Sequence, residues 1–205
     1  GKDKGIAINS VKCKMTISGN TIKKCKAYPI YCNPASTSYA ITLKKNIITG
    51  NSKKIDGIRA DSGKLILSSN TISSCSRAII LSSKVKGTVY PNTFKKNTYN
   101  NVKVNSSYVK TLTVKSLSGK SKSAKTATLN WKKLSSASGY VVYRSASKNG
   151  SYTKISTIKK NKTITYKDSK LKRKSTYYYK IVPYTTIGKT TVYGLDSKIV
   201  SIKIK

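Results

Sequence analysis

Histidine and glutamate do not occur in this chain of 205 residues, and five Asp make up its whole supply of acid. Without His there can be no Ser-His-Asp or Cys-His catalytic arrangement, and a zinc site loses its commonest nitrogen ligand. The five carboxylates are Asp3, Asp56, Asp61, Asp168 and Asp196. Acid–base chemistry needs two of them facing one cleft, and a calcium cage needs six to eight oxygens. Phe, Trp and Met occur once each, so the core must come from aliphatic residues and from 15 Tyr. No apolar run approaches the roughly 18 residues of a membrane span, and a start at Gly1 without a charged-then-apolar segment is what is expected of a processed product or a piece of something larger.

What is present in excess is lysine. Lys and Arg number 42, and the formal net charge is +37. The charge is spread evenly, with 19 cations against three Asp in residues 1–108 and 23 against two in 109–205. A nucleic-acid module concentrates its charge and uses Arg for bidentate contacts, so nucleic acid is not the expected partner. Even spreading describes a solvated lysine surface, or one attracted to an acidic polysaccharide or cell-wall polymer. Val, Ile, Thr, Ser and Tyr predominate, a composition of strands.

The first half repeats itself. SGNTIKKC at 18–25 returns as SSNTISSC at 68–75, and related phrases begin at Asn46 and Asn92. The four asparagines, Asn20, Asn46, Asn70 and Asn92, are 26, 24 and 22 residues apart. Two residues after each stands an apolar side chain: Ile22, Ile48, Ile72 or Phe94. Three residues before each stands another: Ile17, Leu43, Leu67 or Val89. Alternating segments complete the unit at Gly5–Ile8, Gly57–Ala60, Ala78–Leu81 and Asn101–Val104, with Ala27–Cys32 filling the same slot less cleanly. Short strands at such a period cannot bury an apolar face alone, but stacked coils can, with strands in parallel at about 4.8 Å. Asn suits the coil corner because it tolerates left-handed backbone and its amide can bond to the Asn of the next coil. A leucine-rich repeat would need a denser Leu frame than Leu43, Leu65, Leu67 and Leu81 supply.

The pattern G-I-x-I followed by I-x-x-N-x-I-x-x-C resembles the right-handed parallel β-helix repeats of the pectate-lyase-like superfamily, over about residues 5–105. The resemblance implies the C-terminal end of a longer helix, whose earlier coils carry any active site and any calcium. The family's Asp cluster is not matched, so no catalytic residue, metal or other cofactor is assigned to this chain. One local echo remains in Asp56-Gly57-Ile58-Arg59-Ala60-Asp61. With Ile58 and Ala60 inward, Arg59 and Asp61 share the outer face roughly 7 Å apart, as possible ligand contacts or as a surface ion pair.

Composition changes near residue 106. Expected strands at Thr111–Leu117, Ala127–Trp131, Gly139–Arg144, Tyr152–Ile158, Thr163–Tyr166, Tyr177–Tyr184 and Thr191–Ile204 are about seven in number, with a Ser/Gly/Lys-rich turn at 118–125 and an Asn149-Gly150 turn. Trp131 with Tyr140–Tyr143 resembles strands B and C of fibronectin type III domains. Leu171 followed six residues later by Tyr177 resembles that family's tyrosine corner. This second resemblance covers about residues 109–205 and implies a spacer or docking module. Tyr178, between two core-directed tyrosines, is a third candidate ligand contact, by stacking on a sugar ring.

Cys13, Cys25, Cys32 and Cys75 do not have metal-site spacing. Cys25 and Cys75 occupy one corner two coils apart, roughly 9–10 Å, beyond disulfide reach. Buried, unpaired thiols are the expectation, with a Cys13–Cys32 bridge left open. The sequence therefore predicts an all-β protein: a partial right-handed parallel β-helix of four to five coils over 1–107 and a seven-stranded β-sandwich over 108–205. It is expected to be secreted or at the cell surface, to be a monomer, and to bind or act on acidic polysaccharide or cell-wall polymer. A non-enzymatic surface adhesin or cell-wall-binding protein is the alternative.

Overall fold

The computed structural model describes residues 5–9, 13–25, 27–34, 36–51 and 54–205. They divide into two compact units, one formed by residues 1–111 with 186–192, the other by 112–185 with 193–205. All described secondary structure is β.

The first unit is a parallel β-helix with three strands per coil. The first coil holds β1 (Ile6–Asn9), β2 (Met15–Ser18) and β3 (Thr21–Cys25). The second holds β4 (Ile30–Asn33), β5 (Ala40–Lys44) and β6 (Ile47–Gly50). The third has β7 (Ile58–Ala60), β8 (Lys64–Ser68) and β9 (Thr71–Ser73), and the fourth β10 (Arg77–Leu81), β11 (Lys86–Val89) and β12 (Thr93–Lys95). A fifth opens with β13 (Tyr99–Val104), against which β14 (Ser107–Val109) folds back antiparallel. The sequence division at 107/108 falls inside β14. Sheet one runs β1-β4-β7-β10-β13-β14, and sheet three stacks β3, β6, β9 and β12. Sheet two begins as β2, β5, β8 and β11.

The repeat alignment is the observed register. Ile6, Ile30, Ile58, Ile79 and Val102 form one column of partners. Leu43, Leu67 and Val89 form another, and Ile48 and Ile72 a third. All but Ile6 of these are buried. Because the period is two, each column fixes which residues face outward on its sheet.

The asparagines close a ladder along one corner. The Asn20 amide donates to Asn46 Oδ1 at 3.1 Å, Asn46 to Asn70 Oδ1 at 3.0 Å, and Asn70 to Asn92 Oδ1 at 2.9 Å. Each of these acceptors also takes the backbone N–H of the preceding Asn in the ladder, at 2.9–3.0 Å. Asn46 and Asn70 add bonds to the carbonyls of Ile17 and Leu43. The expected left-handed Asn is corrected in one respect. The left-handed residue is the one before it: Gly19, Lys45 and Ser69 have φ of 73°, 54° and 55°. The turn is made one residue early, which leaves the Asn backbone N–H aimed at the next coil. In the fourth coil Pro91 precedes Asn92, and its ring excludes a positive φ. A second corner repeats the device with Lys24, Ser74 and Lys96 ahead of Cys25, Cys75 and Asn97.

The second unit contains β15 (Leu117–Lys120), β16 (Ala127–Trp131), β17 (Gly139–Ser145), β18 (Thr153–Ile158), β19 (Thr165–Asp168), β20 (Thr176–Ile187) up to Thr185, and β22 (Val200–Lys203), with β21 (Thr190–Tyr193) contributing Tyr193. One antiparallel sheet pairs β15-β16-β19 and the other β18-β17-β20-β22. Val114, Leu129, Trp131, Tyr140, Tyr179, Ile181 and Ile202 are among the residues buried in its core. Trp131 meets Tyr140 edge-on at 5.4 Å, and the Tyr177 hydroxyl accepts the Lys172 backbone N–H at 3.3 Å. That last bond is the tyrosine corner, and the unit is a fibronectin type III-like sandwich.

Two expected strand boundaries are corrected. Thr111–Leu117 alternates, and Val114 is buried, but its backbone makes only an isolated bridge between Thr113 and Leu195; the first strand begins at Leu117, the end of the expected strand, and runs to Lys120, into the expected turn. The expected strand Thr191–Ile204 is two strands broken between Tyr193 and Val200. Residues 186–192 belong to the first unit. There Thr191 and Val192 pair in parallel with Thr88 and Val89, and Thr190 Oγ1 accepts from Gly87 N–H and donates to the Val85 carbonyl. The second sheet of the β-helix is thereby extended by a strand distant in sequence.

Candidate functional site

On sheet one, the residue after each inward Ile or Val points outward. The result is one row of partners across the coils: Ala7, Tyr31, Arg59, Ile80, Lys103 and, on β14, Tyr108. At about 4.8 Å per strand the row spans roughly 24 Å. Arg59 and Asp61 stand together in it, as their shared outer face required. The Arg59 Nε–Asp61 Oδ1 ion pair is 3.1 Å long, and both side chains are about one-third exposed.

Aromatic residues enclose that pair. Tyr28 and Tyr31 stack at 5.9 Å, and the Arg59 guanidinium lies 5.3 Å from the Tyr28 ring centre. Arg59 Nη1 donates to the Tyr28 hydroxyl at 3.3 Å, and Tyr31 donates to Asp61 Oδ2 at 2.9 Å. This last bond is the leading reason why the Tyr31 phenol is held above its ordinary pKa. At the other end Tyr99 and Tyr108, both exposed, lie 5.7 Å apart, with Lys103 Nζ 5.4 Å from the Tyr108 ring. Arg77 lies between, hydrogen-bonded to Tyr108 and 3.5 Å from Asp56. Burial raises the Asp56 carboxyl's pKa despite Arg77. Buried Asp56 Oδ1, Arg77 Nε and Asn101 Oδ1 find no hydrogen bond within the protein. Two tyrosine pairs thus flank a line of cations.

Sequence reasoning singled out Arg59 and Asp61 as candidate ligand contacts and did not single out Tyr28, Tyr31, Arg77, Tyr99, Lys103 or Tyr108, which the structure places around them. The signal was available for two of them: Tyr31 and Lys103 follow Ile30 and Val102 as Arg59 follows Ile58. Tyr178 belongs to the other unit, on β20 opposite Ser145 and Ser201. It is half-buried rather than fully exposed. Asp3 lies outside the described residues.

The cysteines are free thiols. Cys32 faces the helix interior and Cys75 fits where Gly50 and Gly57 lack side chains; a Cβ built on Gly50 would stand 2.8 Å from its sulfur. Cys13 is exposed while Cys32 is buried, and the two are not bridged. Burial pushes the Cys32 thiol up to about 12 and the Cys75 thiol up to about 11, from 9.0. With folded values raised, the stabilisation is complete below pH 9 and is lost as pH rises toward 11 and 12. The urea midpoint of the first unit should therefore fall more steeply between pH 9 and 11 in the wild type than in Cys32→Ala/Cys75→Ala. Parallel profiles would show that these thiols are not desolvated.

The family model described as "Periplasmic copper-binding protein (NosD)" matches residues 1–123, more than half of the sequence. The chain belongs to the NosD family. No curated protein matches it. Among solved structures, an Fn3-like protein from Clostridium thermocellum is 29% identical over 44% of this chain and 88% of its own, with TM-score 0.38. The sixth fibronectin type III domain of human fibronectin type III domain containing protein 3 is 19% identical over 47% and 87%, with TM-score 0.39. A beta-1,2-glucanase from Parabacteroides distasonis is 19% identical over 47% and 13%, with TM-score 0.39. No helix of the described residues is long and apolar enough to cross a membrane.

The copper in the NosD family name can be tested against this chain's own donors. Copper favours imidazole or deprotonated soft sulfur. The chain has no His, Met15 packs against the core, and burial keeps Cys32 and Cys75 protonated. Among the described residues no three Cys, Asp or Glu side chains gather as a metal group. The described residues of this NosD member do not fit a copper site.

Proposed function

We propose that this NosD-family chain is a periplasmic or surface-exposed binding module that holds an acidic polysaccharide along sheet one, with the sandwich as spacer or anchor. The observation that carries the reading is the row from Tyr31 through Arg59 to Lys103 and Tyr108, extended by Tyr28, Arg77 and Tyr99. A strand repeat of about 4.8 Å is close to the length of one pyranose unit, so successive coils can meet successive sugars. Tyrosine rings offer faces for stacking, and Lys103 offers a partner for a carboxylate, while Arg59 and Arg77 share their charge with Asp61 and Asp56.

The reading is binding and not catalysis, whether by a lyase or by a hydrolase. Each described carboxylate already has a cationic partner: Asp56 with Arg77, Asp61 with Arg59, Asp168 with Arg144, and Asp196 with Lys180. Calorimetric titration at physiological salt should show oligogalacturonate binding above a neutral glucan and above a charge-matched polylysine control. Tyr28→Ala/Tyr31→Ala and Tyr99→Ala/Tyr108→Ala should each weaken it about tenfold, the loss of one or two aromatic contacts. Unchanged affinity in both double variants would remove sheet one as the site.

A further inference from the structure

At one end of the sandwich the 121–125 turn, the 169–174 turn and the last residues of the chain meet. Leu171 N–H donates to the Lys125 carbonyl, Lys125 N–H to the Lys205 carbonyl, and Lys174 N–H to the Ile204 carbonyl. The tyrosine corner holds the Lys172 amide from below, and Leu171 is buried in the core beneath. Between the turns is a concavity of about 640 Å³ lined by Lys125, Lys170, Leu171, Lys172 and Arg173. All four of these cations are exposed. Lys125 and Lys170 hold left-handed backbone, with φ of 59° and 60°. The one Asp nearby in sequence, Asp168, is buried and turned to Arg144 and Tyr179.

We infer that this bowl is an anion-binding site for a phosphate-bearing cell-envelope polymer, in which several cations engage successive phosphates. Backbone bonds fix the turns before any ligand arrives, so the ordering cost of binding falls on the four side chains and not on the main chain. Both cation types present bind phosphate oxygens, Lys as a compact point charge and Arg173 as a bidentate fork, and no described carboxylate side chain lines the bowl to compete for them. No aromatic side chain lines the bowl, so it lacks the stacking platform that single-stranded nucleic acid uses. The site is independent of the sheet-one reading, since it lies wholly in the second unit.

The test uses the full chain, synthetic oligo(glycerol phosphate) as probe, and a salt series. Lys125→Asn/Lys170→Asn/Lys172→Ser/Arg173→Ser removes the four cations, with Asn chosen for the two left-handed positions. Lys172→Ser/Arg173→Ser leaves those positions untouched and covers any folding defect. Lys148→Ser/Lys154→Ser/Lys159→Ser/Lys162→Ser removes equal charge from other exposed positions. The four-site bowl variant should lose at least tenfold in affinity and two or three units of salt slope, the double variant about half that slope, and the control less than twofold in affinity. Equal losses in bowl and control variants, no binding of the probe, or tighter binding of oligothymidylate than of the probe would each overturn the inference. None of these outcomes bears on oligogalacturonate binding by the sheet-one tyrosine variants.

Discussion

Asn70→Ala should lower the stability of the β-helical unit by about 3–5 kcal/mol, since each buried polar group left unpaired costs about 1–3 kcal/mol. The Asn70 side chain is wholly buried. It accepts the backbone N–H and the amide of Asn46, and it donates to the Leu43 carbonyl and to Asn92 Oδ1. Truncation strands at least three groups on the neighbouring coils, and no water-accessible surface lies beside them to compensate. Asn70→Asp keeps the acceptor but loses both donations and places a carboxylate in the ladder, so it should not rescue. Asn92→Ala should cost less, because Asn92 ends the ladder and is partly exposed. Urea titration followed by circular dichroism reads the difference, with exchange of the Asn46 and Asn70 amides as local confirmation. A loss below about 1 kcal/mol for Asn70→Ala would show that the ladder is not a determinant of coil stacking.

Asp168→Ala should destabilise the sandwich by about 2–3 kcal/mol, the cost of leaving the buried Tyr179 hydroxyl unpaired and of taking the counter-charge from a part-exposed Arg144. Asp168 Oδ2 receives Arg144 Nη1 at 3.0 Å and the Tyr179 hydroxyl at 2.9 Å. Arg144 is held in place by the Tyr177 ring, 5.3 Å from its guanidinium. Removing the carboxylate leaves a guanidinium without its counter-charge and a fully buried hydroxyl without an acceptor. Burial, with Asp168 close by, raises the Tyr179 phenol well above its ordinary range, so Asp168→Ala should also make the Tyr179 phenol easier to ionise. Asp168→Asn keeps an acceptor for Tyr179 and should recover part of the loss. The measurement is the denaturation midpoint of the intact chain with exchange protection on β17 and β20. If Asp168→Ala and Asp168→Asn are equally close to wild type, the network contributes nothing to this fold.

The first half of this chain was legible because its structure is periodic in sequence. The Asn frame and the apolar positions at fixed offsets set the coil length, the inward columns and the amide ladder, each of which needs only the next coil to satisfy it. The same periodicity set the outward row, yet only Arg59 and Asp61 were read from it. Charge in an apolar alternation stands out locally, whereas Tyr31, Tyr99 and Tyr108 become a set only when strands from different coils lie side by side. The corner geometry was misassigned by one residue because Asn has two suitable properties, a tolerance for positive φ and an amide that bonds across coils. The structure uses the second and gives the first to Lys45 and Ser69.

In the sandwich, strands B and C and the corner were legible through the resemblance of Trp131, Tyr140–Tyr143, Leu171 and Tyr177 to fibronectin type III domains. The fate of Thr111–Leu117 and Thr191–Ile204 could not be read the same way. Alternation states which side chains face the core, and it says nothing about whether the backbone finds a partner. Val114 is buried without a ladder, while Thr191 and Val192 find theirs on β11 of the β-helix, about a hundred residues away. Pairing across that distance depends on which edge a folded neighbour presents. The sequence by itself determined the all-β class, the coil register and the corner residues, because these follow from local periodicity. The tertiary structure alone decided how Tyr28, Arg77 and Tyr99 gather at that row, the cationic bowl and the added strand of sheet two, because each joins residues that no repeat position brings together.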